Sequence, residues 1–435
     1  MFPNLPEAFV SRMKRQLGEE LPAFLHALEE PPVRGIRLNT LKPTEATDIY
    51  RILPKIPWVS EAYELPFESN AGSTVLHEAG AFYLQEPGAM LPAAVLDVHP
   101  GESVIDLCAA PGGKATQIGI AMQGKGLLVC NEPVPKRAKV LSSNIERIGL
   151  MNTVVTCARP AMLAAQWPGG FDAVMVDAPC SGEGMFRRVP ESRDEWSSEQ
   201  AAGCALRQRE ILNDAAKLVR PGGRLVYSTC TYNPEENEEN VKWFLSVQHD
   251  FEPEAFFLSG ISAPEGMFTC FPHRMRTEGQ FAARFRRKGN EAGFLREDRS
   301  LARPGREENR ILAKDFPDLP AATHRLGDTL VRMEQCPDLQ GIRILRAGLH
   351  LAEIRGRAAI PDHAAAMSIL PPENQALELD GGNACRYLSG ETVESDLNGW
   401  ILLRYKGLVL GWGKGSGGFI RNHYPKGLRG NHYQL

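Results

Sequence analysis

VIDLCAAPGGKATQIGIAM, residues 104–122, decides the fold. A short apolar run enters a turn of small residues, and a helical stretch follows it. Small residues let a backbone approach a ligand closely, and the N-terminus of a helix offers free N–H groups. The glycines are not spaced as GxGxxG, so the dinucleotide fingerprint is absent, and the string is not a Walker loop. Two adjacent glycines alone would mark only a tight strand-to-helix turn. The nine residues Asp106 to Lys114 together are far more specific.

The same alternation continues outward. LLVCNE (127–132) precedes a helical stretch over 135–149, and TVVTC (153–157) and FDAVMVDAPC (171–180) read as strands. A helix carrying Ala205, Ile211, Leu212, Ala215 and Leu218 ends at the Pro-Gly-Gly of 221–223, and RLVYSTC (224–230) is the next strand. Continuous apolar strands alternating with helices imply a parallel, doubly wound α/β sheet. Ligands of such sheets sit outside the carboxyl ends of the strands.

Upstream, Phe9, Met13 and Leu17 share a helical face within the spacing that starts at residue 4, and Gly18 marks a stop. A short helix to about Glu30 and a strand over 34–42 follow, and 43–75 is a small mixed piece. Downstream, 289–310 is charged and almost free of large apolar residues, as a linker would be. The expected units are an N-terminal α/β extension (1–75), a central domain (76–288), a linker (289–310), an intermediate C-terminal domain (311–375) and a Gly-rich, strand-like tail (376–435).

The bulk numbers set limits. With 435 residues, 43% hydrophobic and 23% charged, the chain has material for a sizeable core. Its net charge of -4 does not advertise a polyanion partner, so any nucleic-acid surface must be local. No apolar run reaches the ~18–20 residues of a membrane span, and the N-terminus lacks signal-peptide order. A cytoplasmic, monomeric protein is expected, with no membrane or metal partner. The nine cysteines include no CxxC pair, which signals neither a disulfide framework nor a zinc site.

Asn131-Glu132 ends the strand after the glycine turn, where an acid suits a ribose diol. An isolated Glu at a strand end is usually only solvated. DAPCSGEG (177–184) and STCTYNPEENE (228–238) each place a cysteine just past a strand end. Two cysteines facing one crevice could be a redox pair, metal ligands or covalent catalysts. A redox pair is usually CxxC, and a metal would need further ligands nearby. Covalent catalysis needs a thiolate beside a group that lowers its pKa. Two unrelated buried cysteines remain the ordinary alternative.

Together these strings resemble the Sun-type family of RNA cytosine-5 methyltransferases. DLCAAPGGKATQ, NEP (131–133), DAPCSGEGMFRR, STCTYNPEENE and HRMRTEGQFAARF (273–285) carry the resemblance, with NTLK (39–42) and QEPGAMLPA (85–93) upstream. It covers 1–288. In the tail, GLHLAEIRGR (348–357) and LGWGKGSGGFIRNHYPKGLR (410–429) resemble the C-terminal regions of the bacterial RsmF-type ribosomal RNA enzymes, whose last segment is a PUA-like RNA-binding module.

The resemblance implies a Rossmann-like domain using S-adenosyl-L-methionine. Cys108, Ala109, Ala110, Pro111, Gly112, Gly113 and Lys114 would form the cofactor loop, with Glu132, Arg137 and Asp177 completing its site. Cys230 would add to carbon 6 of cytosine, Asp177 would serve ring N3, Cys180 would assist release, and Lys114 would lie near the reacting base. The family commonly has an Asp at the end of the third strand; here CARP (157–160) puts Arg159 there.

Residues 400–435 hold six basic residues (Arg404, Lys406, Lys414, Arg421, Lys426, Arg429) and no acid. That is a footprint for phosphate, or a basic solvated edge strand. The interleaved Trp412, Phe419 and Tyr424 favour nucleic acid, because bases stack on such faces. The implied substrate is 16S ribosomal RNA or the assembled small subunit. Transfer RNA as the acceptor is the alternative within the class, and a non-catalytic assembly factor is the alternative outside it.

Overall fold

Phe9, Met13 and Leu17 fall on one side of α1 (Glu7–Leu17) and are all buried, and Gly18 caps its C-terminus. The computed structural model describes residues 5–368, 370–372, 375–430 and 433. The remaining positions include residue 4, where the expected helical spacing starts, and the extreme ends of the 1–75 and 376–435 units; they lie outside the described residues. With α2 (Leu21–Ala27), α1 packs on the two cysteine-bearing strings: Phe9 meets Phe186 at 5.1 Å and Phe24 meets Tyr232 at 5.2 Å, both edge-on.

A three-stranded antiparallel sheet follows, from β1 (Arg34–Leu38), β2 (Ala62–Leu65) and β3 (Phe82–Leu84), in the order β2-β1-β3. Its third strand lies past residue 75. The extension is therefore longer than the composition suggested, because β3 is paired by backbone contacts that leave no compositional mark.

Then come α3 (Pro87–Leu96), β4 (Ser103–Asp106), α4 (Gly113–Ala121), β5 (Leu127–Asn131), α5 (Pro135–Ile148), β6 (Thr153–Thr156), α6 (Pro160–Gln166), β7 (Phe171–Asp177), α7 (Ser198–Leu218), β8 (Val219–Thr229), α8 (Glu238–Val247), β9 (Met267–Cys270) and β10 (Gln280–Arg287). The intermediate unit adds α9 (Arg306–Asp315), β11 (Ile344–Ala347) and β12 (Leu349–Arg355). The central sheet runs β9-β10-β8-β7-β4-β5-β6-β11, and the short strand Phe251–Pro253 pairs beside β10. Its core strands β8, β7, β4, β5 and β6 are parallel. Ile105, Val129 and Val176 face one helical layer, and Val104, Leu128 and Met175 face the other. Burial on both faces is why the strands read as unbroken apolar runs.

Three features depart from the sequence reading. Pro221, Gly222 and Gly223 lie within β8 rather than before it: Phe171 pairs with Val219 and Ala173 with Arg224, so the extra residues bulge out. Strand β11 comes from the intermediate unit yet pairs antiparallel with β6, closing an edge of the central sheet. The stretch 289–310 is also no free linker. Asp298, 1% exposed, accepts N–H bonds from Ser300, Leu301 and Leu339 at 2.7–2.9 Å. One well-satisfied carboxylate anchors a segment whose composition looks solvated, and α9 already begins at Arg306.

The NTLK string locks the extension to the central domain. Asn39, 2% exposed, donates to Gly80 O and Ile148 O, both at 2.9 Å. Lys42 donates to Ala79 O and Arg147 O at 3.2 and 3.0 Å. Both groups meet the last carbonyls of α5, which lack intrahelical partners. Burial lowers the Lys42 pKa to about 7. Asn39→Ala strands two buried carbonyls and should cost about 1–3 kcal/mol. Chemical denaturation checks this, and an unchanged midpoint would contradict the docking role.

The tail holds a five-stranded sheet, built on β13 (Gly399–Tyr405), β14 (Leu408–Ser416) and β15 (Phe419–Asn422).

Candidate active site

Strands β7 and β8 run parallel with Asp177 beside Ser228, so the chain leaves both at one end of the sheet. Just past those ends, Cys180 Sγ lies 3.0 Å from Cys230 Sγ, and the Cys230 N–H donates to Cys180 Sγ at 3.3 Å. The contact with Cys230, and then burial, push the Cys180 thiol well above its ordinary pKa, so it stays protonated. Lys114, at the start of α4, donates to Asp177 Oδ2 at 2.8 Å, and Ser228 Oγ donates to Oδ1 at 2.7 Å. Burial alone would lower the Lys114 pKa; the adjacent Asp177 outweighs it, so the net shift is upward and Lys114 remains an ammonium. The four residues anticipated as catalytic thus converge on one crevice.

A brace behind them escaped the sequence reading. Glu236, fully buried, accepts from Ser181 N at 2.9 Å, Ser181 Oγ at 2.5 Å and Gln208 Nε2 at 2.8 Å. Asn237 accepts from Thr229 Oγ1 at 2.6 Å and donates to Thr231 O at 2.9 Å. These bonds tie the Cys180 loop to the Cys230 loop. Glu236 and Asn237 stand in the quoted STCTYNPEENE string, but only burial separates them from the solvated glutamates beside them. Gly184 and Gly279 also face each other here: a Cβ on Gly184 would come within 2.4 Å of Gly279 O, which only glycine avoids.

At the glycine loop, a cavity is lined by Asp106, Cys108, Ala109, Ala110, Pro111, Gly113, Lys114 and Asp177. Tyr83, Gln85 and Glu86 also line it, with Arg188. Gly112 caps α4 with φ 119°, a conformation that favours glycine. Glu132 is 1% exposed; its Oε1 accepts from Val134 N at 2.9 Å and its Oε2 faces Arg137 at 3.1 Å. Arg137 also donates to Ala110 O at 2.9 Å, joining the acid to the glycine loop. Asn131 fastens three strand ends, donating to Leu107 O and Ala158 O and accepting from Ala158 N.

Residues 93–286 match the family described as 16S rRNA methyltransferase RsmB/F. Residues 5–87 match the N-terminal domain of 16S rRNA methyltransferase RsmF, 309–369 its first C-terminal domain, and 374–430 its PUA domain. The chain is 32% identical to ribosomal RNA small subunit methyltransferase F of Escherichia coli O6:H1, across 97% of this chain and 96% of that protein. The chain belongs to the RsmB/F methyltransferase family. The Salmonella heidelberg protein of the same name is 33% identical over the same shares. A solved methyltransferase homologue from Pyrococcus horikoshii is 28% identical, with a TM-score of 0.57 over 65% of this chain and 96% of that one.

As an RsmB/F enzyme the chain is an S-adenosylmethionine-dependent methyltransferase, and its residues fit that cofactor. Among the described residues Asp106 Oδ2 is buried with no hydrogen-bond partner, and Asp106 lines the same cavity as the glycine loop. Burial, then the charge of Asp177, raise the Asp106 pKa to about 7. No acid stands at the third strand end. Arg159 caps α6 and is exposed, and the Cys157 N–H donates at 2.8 Å to Arg343 O, just ahead of β11.

The tail corrects one expectation. Trp412 and Tyr424 are 1% and 3% exposed, so neither offers a face to a base; of the three aromatics only Phe419, at 50%, does. Trp412 fills the seam against Phe316, and Tyr424 donates to Glu78. The Gly-rich spacing had hidden which strand face is the core. Arg429 is turned inward onto Tyr424 O, Arg404 is half-buried, and Lys406 and Lys426 are exposed. Lys414 and Arg421 are exposed cross-strand neighbours. Lys414 lies 5.1 Å over Trp400, which the sequence reading did not single out, and His423 meets the same ring at 4.6 Å.

Proposed function

We propose that the chain transfers a methyl group from S-adenosyl-L-methionine to carbon 5 of a cytosine in 16S ribosomal RNA, through a covalent bond between Cys230 and carbon 6. The observation that carries this reading is the 3.0 Å pairing of Cys180 and Cys230 beside the Lys114–Asp177 ion pair. Carbon 5 of cytosine is a poor nucleophile. Adding a thiolate to carbon 6 makes it enamine-like and able to attack an electrophilic methyl group. S-Adenosylmethionine, when bound, supplies that methyl as a sulfonium.

The chain's own residues do the rest. Asp177, held by the Lys114 ammonium and Ser228, serves ring N3, where charge builds, and the ammonium adds a positive field beside it. Cys180 stays protonated while Cys230 carries charge; once Cys230 is a thioether that contact no longer holds the proton, the Cys180 thiol gives it to solvent, and the thiolate takes the proton from carbon 5 as Cys230 leaves and the ring is restored. The loop 108–113, Glu132, Arg137 and Asp106 would hold the cofactor. The target base must leave its stack to reach this crevice. The proposed division of labour gives chemistry to the central domain and grip on RNA to the extension and tail, in a monomer acting in the cytoplasm.

The substrate is tested by offering labelled S-adenosylmethionine with assembled small subunits, naked 16S RNA or bulk transfer RNA, and identifying the labelled nucleoside. 5-Methylcytidine in 16S RNA is expected. Label confined to transfer RNA would overturn the substrate.

Within the tail, Lys414 and Arg421 carry the RNA contact. The double change Lys414→Ala, Arg421→Ala should reduce the slope of log affinity against log salt by about two. An unchanged slope removes this sheet from the interface.

A further inference from the structure

The crevice has an electrostatic difficulty. Three carboxyl groups line it, from Glu86, Asp106 and Asp177, against two cations, Lys114 and Arg188. Lys114 is already committed to Asp177. A nucleotide entering base-first carries a phosphodiester on each side and must bring that charge close to these acids.

Arg188 is placed to meet it. Among the described residues its side chain makes no hydrogen bond or ion pair, and it is exposed while lining the same cavity as the glycine loop. Its position is fixed by its neighbour. Arg187 is buried, with its guanidinium bonded to Glu278, Ala27 O and Thr277 O at 2.8–3.1 Å. The Arg188 N–H is bonded to Met185 O at 2.9 Å. A locked backbone thus holds out a free guanidinium, so little backbone entropy is lost when it grips a ligand. A guanidinium pairs with phosphate through two parallel N–H bonds, which fixes position as well as charge.

We infer that Arg188 is the phosphate anchor of the target nucleotide, holding a phosphodiester of the RNA strand at the rim while the base sits against Cys230. This rests on the proposed RNA methyl transfer and names a residue that positions its substrate.

The test is steady-state kinetics of the full-length enzyme with 16S RNA and S-adenosylmethionine, over a series of salt concentrations. Arg188→Ala and Arg188→Gln should raise the KM for RNA about tenfold, the cost of one good charged contact, and reduce the salt slope by about one. The kcat and the affinity for S-adenosylmethionine should hold. Arg188→Lys should recover the salt slope but only part of the KM, since an ammonium lacks the planar fork. An unchanged RNA KM and salt slope in both Arg188→Ala and Arg188→Gln would overturn the inference. So would a weakened S-adenosylmethionine affinity with unchanged RNA KM, which would assign the guanidinium to the cofactor's carboxylate. Wild-type enzyme inactive on both naked 16S RNA and assembled small subunits would instead sink the underlying function.

Discussion

Cys230→Ala lowers methyl transfer by on the order of 10³-fold or more, while S-adenosylmethionine binds with nearly unchanged affinity. Removing a nucleophile removes the covalent route itself, and what remains is binding and orientation. The thiol stands past the end of β8, clear of the loop 108–113 that borders the cofactor cavity. Its loss therefore leaves the cradle intact. Glu236 and Asn237 still brace the two loops, so the fold is kept. Titration calorimetry for the cofactor and a filter assay for labelled methyl separate the two effects. Full transfer by the variant would end the nucleophile assignment.

Cys180→Ala gives the opposite phenotype: attack proceeds and release stalls. Cys180 sits 3.0 Å from Cys230 Sγ and is held protonated by that contact and by burial; once Cys230 is bound to carbon 6 the contact no longer raises its pKa, so the thiol can lose its proton to solvent and act as a base late in the cycle. Without it the proton on carbon 5 has no acceptor at hand and the bond to Cys230 persists. The expected result is a protein–RNA adduct that survives denaturing electrophoresis in the presence of S-adenosylmethionine, with turnover reduced at least about 100-fold. The double variant lacking both thiols should form none. Absence of an adduct from Cys180→Ala alone would remove Cys180 from the release step.

The sequence was most legible where chemistry and periodicity coincide. The parallel strands are apolar on both faces, so β4, β5, β6, β7 and β8 could be read directly, and topology then carried Cys180, Cys230, Asp177 and Lys114 to one place. Contacts formed by backbone were not legible. The pairing of β11 with β6, the reach of the N-terminal sheet to β3 and the anchoring of Asp298 leave no periodic trace. In the tail, glycine-rich strands carry too few side chains to mark the buried face, so Trp412 and Tyr424 looked like a stacking surface while they form core. Glu236 was unreadable for a related reason: its string holds several acids, and only three dimensions show which one is sealed behind the cysteines.

The central claim is that a methyl group replaces the hydrogen on carbon 5 of a cytosine. The most direct measurement uses 16S RNA carrying tritium at carbon 5 of its cytosines, incubated with the enzyme and unlabelled S-adenosylmethionine. Tritium should appear in water in step with methyl incorporation, and neither should appear with Cys230→Ala. Methyl incorporation without tritium release would place the methyl elsewhere on the RNA and contradict the account.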